Sequence, residues 1–419
     1  MIHSQIILFE DQIARGRHFK PLTYTRPFAD LLVGAYSAIE RIKTHALPET
    51  RVGLHVSADL VGVTKQRHPD LLVNESELAR RTVFINSRLL ITDHYFKLLQ
   101  SEENTLFRVE ESPEDILGFC LGGELPEAIL QKLTSGELFT EADFTFEVRN
   151  MPKPKFFTSL WNMVNSNSVV IQSDMKRMLA QGKRKFTNDL HKNPRVKTSG
   201  LHNLSVNESA RFARTCYLNG KGGPILIEED VVCEPNAIIL GPAIIRAGTV
   251  IKAGAKIHAG NTIGPVCKVG GEVENSIFQG YSNKQHDGFV GHSYIGEWCN
   301  IGAGTNTSDL KNDYSNVRVT IENEVIDTRA LFVGLLMGDH SKSAIGTRFN
   351  TGTAVGVSSN IFASGFPPKW IPNFSWCGDA GIEPYRIEKA LEVAKTVMVR
   401  RTKTLSEDEK TLLRKLAGQ

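Results

Sequence analysis

The stretch Ile227–Val273 reads IEEDVVCEPNAIILGPAIIRAGTVIKAGAKIHAGNTIGPVCKVGGEV and repeats one chemical rule through eight consecutive hexads. The first place of each hexad holds a large apolar residue or a cysteine, and the fifth place is mostly small. This period predicts a parallel β-helix, in which each hexad forms one flat face, three faces close a triangular coil, and stacked coils bury the first-place side chains. The first places are Ile227, Cys233, Ile239, Ile245, Ile251, Ile257, Ile263 and Val269, and the fifth places are Val231, Ala237, Ala243, Thr249, Ala255, Asn261, Cys267 and Val273.

Glycine placement supports the same interpretation. Gly248, Gly254 and Gly260 all take the fourth place, which is the corner where the chain bends sharply and often needs a positive φ. An amphipathic α-helix would space its apolar residues three and four apart, and this stretch lacks that spacing. The remaining alternative is a chance apolar run in a β-sandwich.

The repeat continues with a changed phase beyond Asn275. It slips there by two residues, and after an irregular stretch it returns near Ile345, so we expect the β-helix to span 223–378. In the shifted phase the first places are Ile277, Asn283, Phe289, Ile295 and Ile301, the fifth places are Tyr281, Asp287, Ser293, Cys299 and Thr305, and the last part has Ile345, Thr351 and Val357 at first places with Val355 and Ile361 at fifth places.

The composition is that of an ordinary globular protein. The chain has 419 residues, which indicates two or three domains, and its formal net charge of +3 lacks the concentrated basic charge typical of nucleic-acid binding. No apolar stretch reaches membrane-spanning length, and Met1–Gln12 does not look like a secretion signal, so we expect a cytoplasmic protein that binds neither nucleic acid nor membrane. The six cysteines form no C-x-x-C pair and are interpreted as small buried hydrophobes.

The regions flanking the repeat have helical and mixed patterns. Residues 1–185 are predicted to form an α/β domain, with strands at Ile6–Phe9 and Thr82–Ile85 and helices at Asp30–Lys43 and 158–180. The polar, basic stretch Lys183–Gly200 opens a predicted linker over 186–222. Residues 379–419 are predicted to be helical, with an apolar stripe from Ile387 to Met398 and a capping box made by Ser406 and Glu409.

Polar residues interrupt the repeat between Gly280 and Thr305. In the shifted phase His286 takes the corner place, so its imidazole should point outward, where it can act as a general base beside Asp287. Lys284 is positioned to meet a phosphate. The alternative is a solvated surface histidine beside a surface lysine.

Residues 224–365 resemble the acetyltransferase half of the bacterial bifunctional enzymes that make UDP-N-acetylglucosamine from glucosamine-1-phosphate. That family has a histidine fourteen residues before an Asn-Ile-Gly-Ala-Gly-Thr run, the spacing found here between His286 and Asn300. The resemblance implies that His286 takes the proton of a sugar amine attacking acetyl-CoA, that Asn300 positions the substrate, and that amides of the adjacent coil stabilise the oxyanion. It further assigns substrate binding to Lys284 and Lys311, and coenzyme A binding to Ala303, Gly304 and Thr351.

The same resemblance implies a left-handed column that forms a homotrimer and binds coenzyme A between neighbouring columns. Some residues depart from the family pattern. Its lysine lies one residue further from the histidine than Lys284 does, an aromatic hydroxyl stands where this chain has Phe289, and an Asn-Tyr-Asp-Gly run is replaced by Asp309–Asn312. His340, in Gly-Asp-His-Ser-Lys, is a rival candidate base.

The N-terminal half resembles sugar-1-phosphate nucleotidyltransferases, which cradle a nucleoside triphosphate with a loop that follows the first strand. The loop here keeps the cations and has lost most of the glycines, and its Pro-Leu-Thr-Tyr-Thr-Arg-Pro run is similar to a variant bacterial group related to the bifunctional enzymes. The resemblance assigns substrate binding to Arg15, Arg17, Lys20 and Arg26.

The metal-binding aspartate of that family has no counterpart here, because the comparable stretch, Ile85–Leu90, reads Ile-Asn-Ser-Arg-Leu-Leu. Mg²⁺ offsets phosphate charge during nucleotidyl transfer. Either Arg88 supplies that positive charge, or Asp11 or Asp30 holds the metal. Asn165, with Trp161 and Asn167, lies where the family closes its sugar site, although packing of a helix would explain these residues equally well.

Three functions follow from these patterns. The first is a two-part transferase that joins a sugar-1-phosphate to a nucleotide and acetylates an amino sugar. The second is a nucleotidyltransferase alone, for example one that uses dTTP, with the β-helix as a trimerisation column. The third is a non-catalytic trimeric binding protein.

Overall fold

The computed structural model describes residues 4–123, 126–152, 154–182, 190 and 193–418. Within them an N-terminal α/β region, a long column of short parallel strands and two C-terminal helices follow one another along the chain. The start of the chain at Met1–His3 and most of the basic part of the predicted linker, residues 183–189, lie outside the described residues.

The N-terminal region is a seven-stranded mixed sheet with the strand order β3-β2-β1-β4-β6-β5-β7. β1, β2, β3 and β4 run parallel, while β6 is antiparallel to both of its neighbours. The strands are β1 Ser4–Phe9, β2 Arg51–His55, β3 Leu72–Val73, β4 Arg81–Asn86, β5 Thr105–Val109, β6 Ser112–Gly122 and β7 Glu147–Met151, and the helices are α1 Gln12–Arg15, α2 Ala38–His45, α3 Val61–Arg67, α4 Asp93–Leu99, α5 Glu127–Ser135 and α6 Leu160–Ala180.

The two predicted strands are confirmed inside β1 and β4, whose side chains are almost all buried. The helix predicted for 158–180 is confirmed as α6. The prediction for Asp30–Lys43 is wrong in its first half, because the helix begins only at Ala38, with Ser37 and Glu40 forming its capping box. Gly34 has a φ of 67° that no α-helix accommodates, and the apolar residues before it pack on the column.

The column is a left-handed parallel β-helix whose three faces are stacks of parallel strands. Three hexads make one coil in its regular part, so that Ile227 pairs with Ile245 and Ile245 with Ile263. A long excursion between β25 and β28 carries an antiparallel hairpin, β26–β27. The strands up to the excursion are β8 Val196–Ser199, β9 Leu204–Val206, β10 Arg211–Phe212, β11 Cys216–Asn219, β12 Ile225–Ile227, β13 Val232–Cys233, β14 Ile238–Leu240, β15 Ala243–Ile245, β16 Val250–Ile251, β17 Lys256–Ile257, β18 Asn261–Ile263, β19 Lys268–Val269, β20 Glu272–Glu274, β21 Ile277–Gly280, β22 Asn283–Lys284, β23 Phe289–Gly291, β24 Tyr294–Glu297 and β25 Asn306–Thr307.

The hairpin and the final coils complete the column. The strands of this part are β26 Arg318–Ile321, β27 Glu324–Asp327, β28 Leu336–Met337, β29 Lys342–Ser343, β30 Arg348–Phe349, β31 Ala354–Val355, β32 Asn360–Ile361, β33 Trp370–Ile371, β34 Ser375–Gly378 and β35 Gly381–Pro384. The first-place and fifth-place side chains of the eight regular hexads are all buried. The apolar residues and cysteines among them form one continuous interior, and the polar Thr249 and Asn261 are buried as well. The hexad prediction is therefore confirmed for this part.

The predicted phase is off by one residue just after the slip and wrong beyond the excursion, while the predicted first places Ile295 and Ile301 do lie in the column interior. After the slip, Lys284 and Val290 are buried in the places that the prediction gave to Asn283 and Phe289. Beyond the excursion, Ile345 is 82% exposed, and the interior beat instead runs through Met337, Ser343, Phe349, Val355 and Ile361. Other apolar residues, such as Ile277 and Val357, cover the outside of the column beneath neighbouring elements, and this second apolar pattern shifts a phase read from the sequence.

The column also begins earlier than predicted, because β8 to β11 belong to its first coils. Residues from 196 onward therefore fold into the column, and the predicted linker 186–222 is wrong over that part. The interior residues Val206, Phe212 and Leu218 of these coils are spaced by six, but nine residues separate Leu218 from Ile227, so the run of hexads is interrupted there.

Two helical elements bind the parts together. α6 packs on one face of the column, beside β15, β18 and β24. The C-terminal helices, α7 Ile387–Val399 and α8 Glu407–Leu416, follow the predicted stripe and capping box. α7 packs on Trp298 and Val357 of the column, while Leu412 of α8 enters the core of the N-terminal region. None of the described helices is long and apolar enough to cross a membrane.

Candidate active sites

The first candidate site lies at the carboxyl ends of β1 and β4. The chain leaves β1 towards β2 on one side and places β4 on the other, so the strand order reverses between them. In open α/β sheets, ligands bind outside the strand ends at such a point. Glu10 and Asp11 follow β1, and Asn86, Ser87 and Arg88 lie at the end of β4, so the sequence places charged and amide groups in this crevice.

Arg88 occupies the centre of the crevice and is fully buried. Its Nε donates to both carboxylate oxygens of Asp11 at 2.9 Å, and its Nη2 donates to Asp11 Oδ2 at 2.5 Å and to Asp115 Oδ1 at 2.6 Å. Asn86 Nδ2 and the Ala14 amide also donate to Asp11, at 2.7 and 2.8 Å. Burial alone would raise the pKa of Asp11, but the Arg88 charge and these hydrogen bonds outweigh it and hold that pKa below its usual value.

The hydrogen bonds in the crevice test the two predicted metal ligands, Asp11 and Asp30, against the alternative that Arg88 supplies the positive charge. Both oxygens of Asp11 already accept two or more hydrogen bonds, so Asp11 does not fit a Mg²⁺ site. Asp30 accepts from His68 Nε2 at 2.6 Å and lies near Arg26 and Arg67. Among the described residues, no group of three or more histidine, cysteine or acidic side chains is arranged to hold a metal ion.

The predicted phosphate-binding cations of the N-terminal loop are already engaged with protein groups. Arg15 donates to Glu10 at 3.1 Å and to the Gly136 carbonyl at 2.6 Å, and Arg17 forms ion pairs with Glu322 and Glu324 of the β26–β27 hairpin. Lys20 lies over the ring of Tyr24, 4.3 Å from its centre, and burial lowers its pKa. Of these, Arg15 and Lys20 remain beside Glu10 at the crevice, while Arg17 faces the column.

Arg26 lies outside the crevice. It is 1% exposed, forms an ion pair with Asp339 and lies 3.1 Å from Glu297. Both carboxylates belong to the column, so Arg26 joins the N-terminal region to the column. This arrangement contradicts the predicted role of Arg26 as a substrate ligand, because a buried guanidinium held by two carboxylates has no face left for a phosphate.

The residues predicted to close a sugar site hold α6 against its neighbours. Asn167 accepts from the Gly34 amide at 2.7 Å and donates to the Gly260 carbonyl at 2.8 Å. Asn165 donates to the Phe332 carbonyl at 3.3 Å, and Trp161 is buried. The packing alternative therefore describes their contacts.

The second candidate site is the column corner between β22 and β23, where His286 is exposed as predicted. The next coil follows directly beneath it, because the Gly304 amide donates to the Asp287 carbonyl at 2.9 Å. A Cβ on Gly288 would come within 2.1 Å of the Thr305 carbonyl oxygen, so only glycine allows this approach. The Gly304 amide is thereby used, whereas the Ala303 amide makes no hydrogen bond within the described part of the chain and is available to an oxyanion.

The position of Lys284 contradicts the prediction that this residue binds a phosphate. Its side chain points into the column and is 1% exposed, and Nζ donates to the His286 carbonyl. Burial lowers its pKa to about 8. The one-residue error in the predicted phase is the cause, since an inward place was taken for an outward one.

The other predicted residues divide between two clefts. Asn300 is exposed on the outward side of the β22 face, in a groove with Asn283 and Lys342. Lys311 and Thr351 line a second cleft of about 550 Å³ beyond β25, where Lys369 Nζ donates to the Thr351 carbonyl at 2.7 Å. His286 lies on the corner between the β22 and β23 faces, and it is not among the residues that line either cleft.

His340, the rival base, is buried beneath the C-terminal helices and stacks on Trp298 with ring centres 6.3 Å apart. Burial and the nearby Lys342 lower its pKa to about 3. A histidine that stays neutral and out of reach of a substrate packs the interface, so the structure does not support His340 as a base. The sequence interpretation also missed Asp115, whose only signal was an acidic residue just before the buried part of β6.

One comparison with known proteins concerns the N-terminal region. A family model described as sugar nucleotidyl transferase matches residues 6–183. The predicted resemblance of the N-terminal region to this family is therefore confirmed.

Three curated relatives are named as bifunctional proteins, and the name of one of them states both activities. The chain is 37% identical over 93 residues to the bifunctional protein GlmU of Methanocaldococcus jannaschii, which is 22% of each chain. It is 34% identical over 166 residues to GlmU of Methanococcus maripaludis, 39% of each chain, and 30% identical over 91 residues to the bifunctional sugar-1-phosphate nucleotidylyltransferase/acetyltransferase of Sulfurisphaera tokodaii, 22% of this chain and 23% of the relative. The chain thus spans between about a fifth and two fifths of the length of these relatives.

Among solved structures, the UDP-N-acetylglucosamine acyltransferase of Francisella novicida aligns with 52% of this chain and 78% of its own, at 15% sequence identity and a TM-score of 0.24.

Proposed function

We propose that the chain is a two-part transferase of sugar-nucleotide synthesis, with a nucleotidyltransferase region and a column that acetylates an amino sugar. The observation that carries the column's role is the exposed His286 at a corner beside the unused amide of Ala303. A base and an oxyanion donor on adjacent coils are the two groups that acyl transfer to an amine requires.

In the proposed acetyl transfer, the amine of an amino-sugar phosphate attacks the thioester carbon of acetyl-CoA. His286 accepts the proton that the amine loses as the new C–N bond forms, and the Ala303 amide donates to the carbonyl oxygen as it gains negative charge. The C–S bond then breaks, the thiolate of coenzyme A leaves, and it recovers the proton from His286. Asn300 lies on the face before the corner and positions the sugar.

In the proposed nucleotidyl transfer, a phosphate oxygen of the sugar-1-phosphate attacks the α-phosphorus of a nucleoside triphosphate, and pyrophosphate leaves. Arg15 and Lys20 beside Glu10 supply positive charge at the crevice. Mg²⁺ would supply positive charge to the phosphates in this family, but Asp11 does not fit it while Arg88 is bound there, so no step is assigned to a metal.

The same Arg88–Asp11 pair favours a second candidate function, in which the N-terminal region binds a sugar nucleotide without making one and only the column is catalytic. A triphosphate entering the crevice must either compete with Asp11 and Asp115 for Arg88 or bind elsewhere.

We further propose that the active assembly is a homotrimer of columns. Ile345 supports this proposal, because it is 82% exposed on the same column edge as Ala303, where the Gly346 amide donates to the Ala303 carbonyl at 2.7 Å. Contact with a neighbouring column would remove this apolar side chain from water. Light scattering should give three times the chain mass, and a monomer at micromolar concentration would contradict this proposal.

Mass spectrometry of reaction products separates the candidates. The chain is incubated with glucosamine-1-phosphate, acetyl-CoA and each nucleoside triphosphate, with and without Mg²⁺. The two-part proposal predicts an acetylated sugar phosphate and a sugar nucleotide with pyrophosphate, the second candidate predicts only the acetylated product, and absence of both products contradicts both.

A further inference from the structure

The outward side of the β22 face carries a ladder of four polar residues on neighbouring strands and coils. Lys268 pairs with Asn283 in register, Asn283 bridges to Asn300, and Asn300 bridges to Lys342. Adjacent strands in a sheet lie roughly 4.8 Å apart, so the two lysines stand about 14 Å apart with two amides between them. This ladder forms one wall of a cavity of about 330 Å³.

The end of α7 forms the opposite wall. Arg400 and Arg401 line the same cavity, and Arg401 Nη2 lies 3.4 Å from Asn283 Oδ1. The floor is made by Trp298 and Cys299 of the column. We call this cavity the cation groove, and its cations are Lys268, Lys342, Arg400 and Arg401. Within the described residues, no carboxylate lines it.

Within the described residues, the four groove cations have no carboxylate partner, whereas Lys252 pairs with Glu234, Lys256 with Glu272, and Arg246 with Glu40 and Glu228. Lys342 Nζ donates to the His340 carbonyl at 2.6 Å. Lys268 forms no ion pair within the described part of the chain. Burial and repulsion from Arg401, Lys252 and Arg400 lower the pKa of Lys268, and burial lowers that of Lys342 to about 8.

The end of α7 explains only two of the four positive charges in the cation groove. Arginines at a helix carboxyl end are stabilised by the helix dipole, which accounts for Arg400 and Arg401. Lys268 and Lys342 come from the column and face these two arginines at a cost. A dianion between the two walls would reverse that repulsion and would meet the amide groups of Asn283 and Asn300.

We propose that the cation groove binds a diphosphate-bearing small molecule and so couples the C-terminal helices to the column. One phosphoryl group lies between Lys268 and Arg401, and the second lies between Arg400 and Lys342. The length of the ladder fits two linked phosphates better than one. The groove includes Asn300, which the proposed acetyl transfer also uses, but binding of a diphosphate is measured without either reaction.

Isothermal titration calorimetry with inorganic pyrophosphate tests this site on the full chain. Lys268→Gln and Arg400→Gln are outward substitutions, and together they should weaken binding at least about tenfold, because each removes a charge-assisted hydrogen bond. The matched control is Lys256→Gln, which removes an outward lysine from a different face of the column and should leave the affinity unchanged.

The nucleotidyltransferase crevice could also take pyrophosphate, so Lys20→Gln serves as a second comparison. Affinity lost in the Lys268→Gln/Arg400→Gln variant and kept in Lys20→Gln supports the cation groove. Affinity lost only in Lys20→Gln, no binding by the wild-type chain at low salt, or equal affinity for orthophosphate and pyrophosphate would overturn the proposal.

Discussion

The crevice at β1 and β4 and the column corner at His286 both carry groups suited to group transfer, but they satisfy those groups differently. In the crevice, Arg88 is fully buried and holds Asp11 and Asp115. At the corner, His286 is exposed, and the amide of Ala303 beneath it is unused within the described residues.

The difference teaches what each site must do before it binds a substrate. A site whose charges already neutralise one another loses those pairs when a charged ligand enters, whereas an open corner loses only contacts with water. In the proposed function, the column corner takes an acyl acceptor without breaking an ion pair, while the crevice requires Arg88 to exchange partners. Each of the following variants changes either the crevice or the column corner.

The largest expected effect is that of His286→Gln. Loss of a general base lowers a rate by about 10² to 10⁴-fold, so acetylation of glucosamine-1-phosphate should fall by that factor with little change in the unfolding free energy. The measurement is release of the coenzyme A thiol. His258→Gln is the matched control, because His258 is also on the column but pairs with Glu272 at 3.0 Å. Equal rates in His286→Gln and the wild type would remove the corner from the mechanism.

The Arg88→Met substitution tests the crevice, whose charges are already paired with one another. It leaves two carboxylates in the crevice without their cation, and we expect a loss of about 3 kcal/mol in the free energy of unfolding at pH 7. The pKa of Asp11 is lowered by Arg88 in the folded chain, so this contribution is present above the unfolded pKa of about 3.9 and disappears as the pH falls through the folded value. The difference between variant and wild type should therefore shrink below about pH 4.

Chemical denaturation at neutral and acid pH measures this effect. The exposed pair of Arg149 and Glu102 provides the control, and Arg149→Met should cost less than about 1 kcal/mol. If Arg88→Met has the same free energy of unfolding as the wild type at pH 7, the crevice is not held together by this ion pair.

Much of the column was predictable because its signal is local. Ile239 and Ile257 are in the interior for a reason that the hexad alone contains. His286 is exposed as predicted, although the count around it was off by one residue. Ile277 misled the count because it lies on the outside of the column beneath other elements, which the local pattern does not reveal. Ile345 misled it because it is an apolar residue that is exposed.

The crevice was less predictable because its contacts join distant parts of the chain. The sequence showed that an aspartate was missing after β4 and named Arg88 and Asp11 as alternatives, but it could not show that the two residues bind each other. Likewise, the partners of Arg26 lie in the column, far along the chain, so a basic residue in a phosphate-loop pattern was interpreted as a ligand.

The smallest expected effect is that of Lys284→Met, beneath the open corner. The pKa of Lys284 is lowered from 10.5 to about 8 by burial, so between these values the unfolded chain binds more protons and wild-type stability rises with pH. Replacement by methionine removes that cost, and we expect the unfolding free energy at pH 7 to rise by on the order of 1 kcal/mol.

The pH dependence distinguishes this account from a simple packing effect. The gain in unfolding free energy of Lys284→Met should fade towards pH 10. Lys256→Met should show no gain at any pH, because Lys256 is on the outside of the column. A destabilised Lys284→Met at pH 7 would show that the hydrogen bond to the His286 carbonyl outweighs the burial of the charge.

Chemical rescue of His286→Ala tests the central claim, that an imidazole at the open corner takes the proton of the attacking amine, most directly. The assay follows acetyl transfer from acetyl-CoA to glucosamine-1-phosphate with increasing concentrations of free imidazole. We predict that His286→Ala is inactive alone and recovers rate in proportion to neutral imidazole, while His258→Ala shows the wild-type rate with no response. Full activity of His286→Ala without imidazole, or a wild-type chain that forms no acetylated product, would contradict the account.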